Sequence, residues 1–349
     1  MFNPALSARS VHPAALSQAE IAAWERLSAT HAHLATPFLS VHYARAVGAA
    51  GMDARVCVLS EGTQIRAFFP YQFADRWMRA LGAAERIGGE LCDAFGLIAA
   101  PDLHIAPEQL LHLASLHYVS FSHLGQEQLA HGLPGEQPRT ALRVRIAPGT
   151  GAPLAGIASV GAAYIEESAA IRRRAESELG PLRFEFDALG ARPDLAAELV
   201  AELIAQKRAV YRADGAADML AAPVTQRVLA RLASCRFDSC RGVLSRLYAG
   251  DRWLGAHFGI MGHGTLIWWL HAHDPALRRY DPERLLLHSL IDAARTEGFR
   301  ILDRGEGDTP AKRAVHSDTY PLYRGEWHSG ALAGRAAHAL NRVRWRLRG

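Results

Sequence analysis

The sequence predicts an α/β protein made of two tandem copies of one fold, each a mixed, mostly antiparallel sheet flanked by helices, and three observations carry that prediction. Residues 242–303 run through strand patterns at about 242–249, 252–260 and 265–271, a helical period over 282–297 and a short apolar run at 299–303, which is a β-β-β-α-β order. An earlier stretch repeats this order in looser form. A glycine-rich segment of small residues, 147–160, separates the two.

Each element has a local reason. Ser17 and Glu20 form a capping box that opens a helix through Leu27, Thr36-Pro37 breaks the pattern, and a short helix covers about 40–49. Arg55 to Ser60 and Gln64 to Phe73 flank Glu61-Gly62 as a hairpin; a helix at about 106–116 and strands near 118–123 and 140–146 follow. Beyond the link come a charged helix from Ala162 to Glu178, a strand at Leu182 to Phe186, a long helix capped by Asp194 and running to about Arg212, and a helix at about 223–233. Pro282 suits a first helical turn, and Gly298 ends that helix in a left-handed residue. The expected organisation is a degenerate first domain over 1–150, a second domain over 160–330 with the active site, and a basic helix over 331–349.

At 349 residues and a formal charge of +4, the chain is too long for one ordinary domain and too mildly basic for a nucleic-acid protein; an anionic small ligand suits it better. Four cysteines, at 57, 92, 235 and 240, form no C-x-x-C pair and no metal spacing, so free thiols in a reducing cytoplasm and no metal are expected. No secretory leader and no long apolar run is visible. The basic end, 334–349, carries five arginines and no carboxylate, which suits peripheral contact with an anionic membrane surface.

Candidate catalytic residues cluster after the third strand of the second half. His271 and His273, two apart on a strand, point to one face and are matched to proton transfer near neutral pH. Asp303 follows a buried strand, at the sheet edge where α/β sites concentrate. Arg278, Arg279 and Arg284 surround a helix start and are the candidates for an anionic cofactor. Lys207 and Tyr211, four apart on one helix, share a side and are candidate substrate contacts, as are Asp93 beside Phe95-Gly96 in the first half, Trp269, Asp308 and Lys312.

Trp268, Trp269, Asp274, Pro275, Tyr280 and Pro282, followed by Asp303, Gly305, Gly307, Asp308 and Lys312, resemble two motifs of the double-domain relatives of the GCN5-related N-acetyltransferases, the FemAB-like and BioF2-like proteins of polysaccharide biosynthesis. The resemblance implies acyl transfer from acyl-coenzyme A, acetyl-coenzyme A first, to an amino or hydroxyl group of a sugar nucleotide or glycan precursor. Alternatives are a FemAB-like transferase using aminoacyl-tRNA, and a catalytically silent binding protein of a polysaccharide assembly. The chain departs from the motif where Asp281-Pro282-Glu283 replaces Ser-Pro-Gly and Ala311-Lys312 replaces Tyr-Lys. Two carboxylates there oppose a phosphate unless the three arginines outweigh them.

Overall fold

After strand β1 (Leu6–Val11) the chain enters α1 (Gln18–Thr30) through the expected capping box, in which Ser17 accepts from the Glu20 N–H and Glu20 accepts from the Ser17 N–H. The computed structural model describes residues 6–31, 34, 36–147 and 153–348, the side chains of 342–348 excepted. Ser40 caps α2 (Val41–Ala49), and the hairpin β2 (Asp53–Glu61) and β3 (Gln64–Phe73) follows. Then come α3 (Arg76–Ala80), β4 (Ala83–Arg86), β5 (Ile98–Ala99), α4 (Pro107–Leu113), β6 (Tyr118–Gly125) and β7 (Gln137–Arg145).

The next run holds α5 (Ala162–Leu179), β8 (Leu182–Glu185), α6 (Ala188–Ala191), α7 (Ala196–Asp214), α8 (Pro223–Ala233) and β9 (Arg236–Phe237). The antiparallel pair β10 (Cys240–Ala249) and β11 (Arg252–Gly262) leads to β12 (Thr265–Ile267) and β13 (Leu270–His273). The chain closes with α9 (Pro282–Glu297), β14 (Ile301–Glu306), α10 (Pro310–Ala314), β15 (Asp318–His328) and α11 (Leu332–Arg348).

Two compact units result: residues 1–139 with 321–349, and residues 140–320. In the first, β1, β2, β3 and β4 pair antiparallel in that order, β4 pairs in parallel with β6, and β6 pairs antiparallel with β15. In the second, β8, β10, β11 and β12 pair antiparallel, β12 pairs in parallel with β14, and β14 pairs antiparallel with β7. Each unit therefore has one parallel pair, and in each a helix (α4 or α9) lies between the two parallel strands, as the repeated strand order predicts.

The core of the second unit forms against α9, whose Leu285, Leu286, Leu290 and Ile291 bury themselves with Val243, Leu266 and Leu302. Gly298 ends α9 at φ 79, in the left-handed region where its lack of a Cβ counts.

Three expectations change. Asp194 does not cap the long helix: it lies in a short 3-10 turn, and the cap position is Leu195, without a side-chain bond. The strand expected over 265–271 is two strands. The basic end is no separate appendage, because strand 321–328 and α11 complete the first unit, where Ala337 is buried beside Met78, Ala83 and Tyr118. Residues 148–152 of the expected link lie outside the described residues. No helix of the described residues is long and apolar enough to cross a membrane.

Candidate active site

β12 pairs with β14 through Ile267↔Asp303, and the Trp268 N–H still donates to the Asp303 carbonyl at 2.7 Å. From Leu270 onward the chain, now β13, pairs with β11 instead. The two strands thus part company at Trp268–Trp269. His257 fills the break: its Nε2 lies 3.0 Å from the Ile267 carbonyl and 3.3 Å from the Trp269 N–H, the two backbone groups on either side of Trp268. Gly259 makes room, since a Cβ there would stand 2.2 Å from the Ile267 oxygen.

Trp268 stacks with two imidazoles, His257 at 4.9 Å and 8° and His271 at 5.0 Å and 23°. Burial pushes His257 down to about 3, so it is neutral, and its Nδ1 has no hydrogen-bond partner among the described residues. His271 presents Nε2 to Glu283 Oε1 at 3.4 Å, and its buried Nδ1 likewise has no partner. The hydrogen bond from His271 holds the Glu283 carboxyl down at about 2, against the effect of burial, so the carboxylate is charged.

His273 and Lys207 complete this cluster. Burial lowers His273, and the nearby cations Arg278 and Lys207 add to the shift while Glu283 opposes it. Burial also lowers Lys207, whose ammonium stands 5.1 Å over the Tyr211 ring. The shared side expected for Lys207 and Tyr211 is therefore present. Arg304 backs the group from β14: its Nη1 donates to the carbonyls of Ala311, Lys312 and Val315, and it feels the charge of Glu283.

Asp303 belongs to a different cluster. Its carboxylate accepts from the Tyr320 hydroxyl at 2.7 Å and from the Gly305 N–H at 2.8 Å. Burial raises its pKa, with Arg143 and Lys312 among the groups that oppose the rise. No hydrogen bond or ion pair among the described residues joins it to His271 or His273. Lys312 donates to the Glu306 carbonyl at 2.7 Å, and Asp308 pairs with Arg313 while Thr309 caps α10. Trp269 lies 6.0 Å from Phe258. Asp93, in the first unit, lies 3.5 Å from His123.

The three arginines around α9 are each engaged by a carboxylate. Arg278 meets Asp214 at 3.3 Å, Arg279 meets Glu178 at 2.9 Å, and Arg284 meets Glu167 at 2.8 Å and Asp281 at 2.9 Å. Asp281, at φ 44, also caps α9 by accepting from the Arg284 N–H. The anion position at this helix start is thus taken by a carboxylate of the chain itself, and a second, Glu283, follows within the first turn. Asp281 and Glu283 therefore compete with any phosphate for this helix start and for Arg284. His257, Glu283 and Arg304 are the members of the cluster that sequence reasoning did not place there; register counting from the turn at 262–265 sets His257 opposite Leu270, and a one-residue shift at the break brings it opposite His271.

Residues 168–313 match the family described as the acetyltransferase (GNAT) domain, and this match implies an acyl-coenzyme A co-substrate. No curated protein matches the chain. Among solved structures it is similar to FemX (11% identity, 95% of this chain and 99% of that one, TM-score 0.61). It is also similar to the C-terminal domain of a putative lysylphosphatidylglycerol synthetase from Agrobacterium fabrum (13%, 93% and 96%, 0.56). A third is a tandem GNAT protein from the clavulanic acid biosynthesis pathway (10%, 93% and 99%, 0.50). At such identities these likenesses show the fold, and that fold is the tandem one expected. Residues 168–313 therefore match an acetyltransferase (GNAT) domain, and that match together with the shared fold supports an acyltransferase.

Proposed function

We propose that the second unit transfers an acyl group from an activated donor to an amino or hydroxyl group, with His271 as general base and Glu283 as its orienting carboxylate. The observation that carries this reading is the His271–Glu283 contact beside the point where β12, paired with β14, gives way to β13. A carboxylate that accepts from Nε2–H fixes the tautomer with the lone pair on Nδ1, the atom that has no partner. Acceptor binding has to uncover that nitrogen, which then takes the acceptor's proton as its N or O bonds to the acyl carbon. The bond from acyl carbon to leaving group then breaks, and the imidazolium returns the proton to the departing thiolate or alkoxide. Charged Glu283 stabilises the imidazolium in between. Lys207 and Tyr211 border the acceptor, which we place among sugar nucleotides or glycan precursors on the resemblance of the Trp268–Tyr280 and Asp303–Lys312 segments. We assign Asp303, braced by Tyr320, to holding the neighbouring strand and Lys312 rather than to proton transfer.

For the donor, the domain match supports acyl-coenzyme A. The Asp281 cap favours a second reading, a donor without a pyrophosphate at this helix, such as an aminoacyl ester on tRNA. Calorimetry of the full chain with acetyl-coenzyme A separates them: binding that weakens when Arg278 and Arg279 become Ala supports the first, and no binding with turnover of aminoacyl-tRNA supports the second. His271→Gln is expected to lower kcat by roughly 10²–10⁴ with either donor. Full activity in that variant overturns the assignment of the base.

A further inference from the structure

The first unit holds a cavity of about 730 Å³, a size typical of small-molecule sites, to which the reading above assigns no role. One wall is a relay. Arg86, only 7% exposed, donates to the Gly89 carbonyl at 2.8 Å and reaches Ser122 and His123 Nδ1, while His123 Nε2 faces Asp93 Oδ1 at 3.5 Å. Ser122, His123 and Asp93 have the residue types of a hydrolytic triad. The guanidinium on Nδ1 uses the lone pair a base would need, so this wall binds and orients instead of taking protons. His123 is held there at φ 63, in the left-handed region that few non-glycine residues adopt.

The opposite wall is a second fixed network, in which Tyr118 donates to Glu326 at 2.7 Å, Asn341 donates to the Tyr118 hydroxyl at 2.9 Å and His338 meets Glu326 at 2.6 Å. Phe121, 7% exposed and packed on Phe95 at 4.8 Å and Trp327 at 4.6 Å, adds only a small apolar edge to the lining. Across the whole lining five carboxylates face two guanidinium groups, in a chain whose overall charge is positive. A cleft of one sign with low-dielectric walls concentrates ligands of the other.

We infer that this cavity binds a small hydroxylated amine of amino-sugar size, with its ammonium toward Glu90 and Glu136 and its hydroxyls toward Ser120, Ser122 and Asn341. The ammonium meets the excess of carboxylates, the hydroxyls match the density of hydroxyl and amide groups, and the volume suits one pyranose ring.

Calorimetry of the full chain with glucosamine, with N-acetylglucosamine and with putrescine tests it. Glucosamine is expected to bind at least about tenfold more tightly than its N-acetyl counterpart, because acetylation removes the charge, and more tightly than putrescine, which lacks the ring and hydroxyls. The double variant Glu90→Gln, Glu136→Gln, altered only at exposed positions, is expected to keep the wild-type melting temperature and to lose glucosamine affinity by about tenfold or more. Equal affinity for the two sugars, tighter binding of putrescine, no glucosamine binding, or full affinity in the double variant would each overturn the assignment.

Discussion

A neutral histidine buried beside a tryptophan, with one ring nitrogen unpaired, is costly to keep, and His257 is such a residue. Its position explains it, because the Nε2 stands at the backbone on either side of Trp268, where β12 gives way to β13, and its ring stacks on Trp268. Gly259→Ala should destabilise the protein by about 1–3 kcal/mol, since the new methyl group would press on the Ile267 carbonyl and the His257 ring. An unchanged denaturation midpoint would contradict that account. Glu283→Gln should lower kcat less than loss of His271 does, by roughly 10–10² against roughly 10²–10⁴, because the imidazole stays but loses its anionic partner. A kcat equal to wild type would remove Glu283 from the site. His271 and His273 were legible because strand alternation places them on one face. Glu283 was legible only as an obstacle to phosphate, since nothing local in the sequence shows that a first-turn side chain of α9 reaches back to β13.

α9 shows how much one cap position can decide. Asp281→Ala should cost about 1 kcal/mol, the usual worth of a side-chain N-cap, with added strain at φ 44, whereas Asp281→Asn keeps both the acceptor and the tolerance of left-handed backbone. Equal chemical-denaturation midpoints for the two variants would show that the cap contributes nothing. The body of this helix was readable from its leucine spacing and its closing Gly298. The break between β12 and β13 was not, because Leu266 to Leu270 reads as one continuous apolar run; the backbone at the interruption meets a side chain on β11, a tertiary contact that no local pattern carries. Asp194 fails as a cap for a related reason: Pro193 draws it into a 3-10 turn that ends before α7 begins.

For the whole molecule, acid stability follows from two buried imidazoles. Burial lowers His257 to about 3 and His288 to about 4, both below the value of an exposed histidine. As pH falls below about 6.5 the unfolded chain takes up protons that the folded chain refuses, so stability is lost progressively toward pH 4 and below, by at most about 1.4 kcal/mol per unit for each group. His288→Gln should flatten the dependence of melting temperature on pH between about 6.5 and 4; an unchanged slope would mean that His288 is free to titrate in the folded state. The repeated strand order made the two units legible, but the assignment of 321–349 to the first was hidden, since the pairing of Tyr118 with His328 spans everything between. That threading has a consequence during synthesis. The second unit is complete in sequence once Tyr320 has left the ribosome, whereas β6 must wait, its edge unpaired, for the last strand of the chain. The acyltransferase unit can therefore fold first, and a message truncated near codon 320 would release a finished enzyme domain tethered to an open sheet edge, a natural target for chaperones and for aggregation.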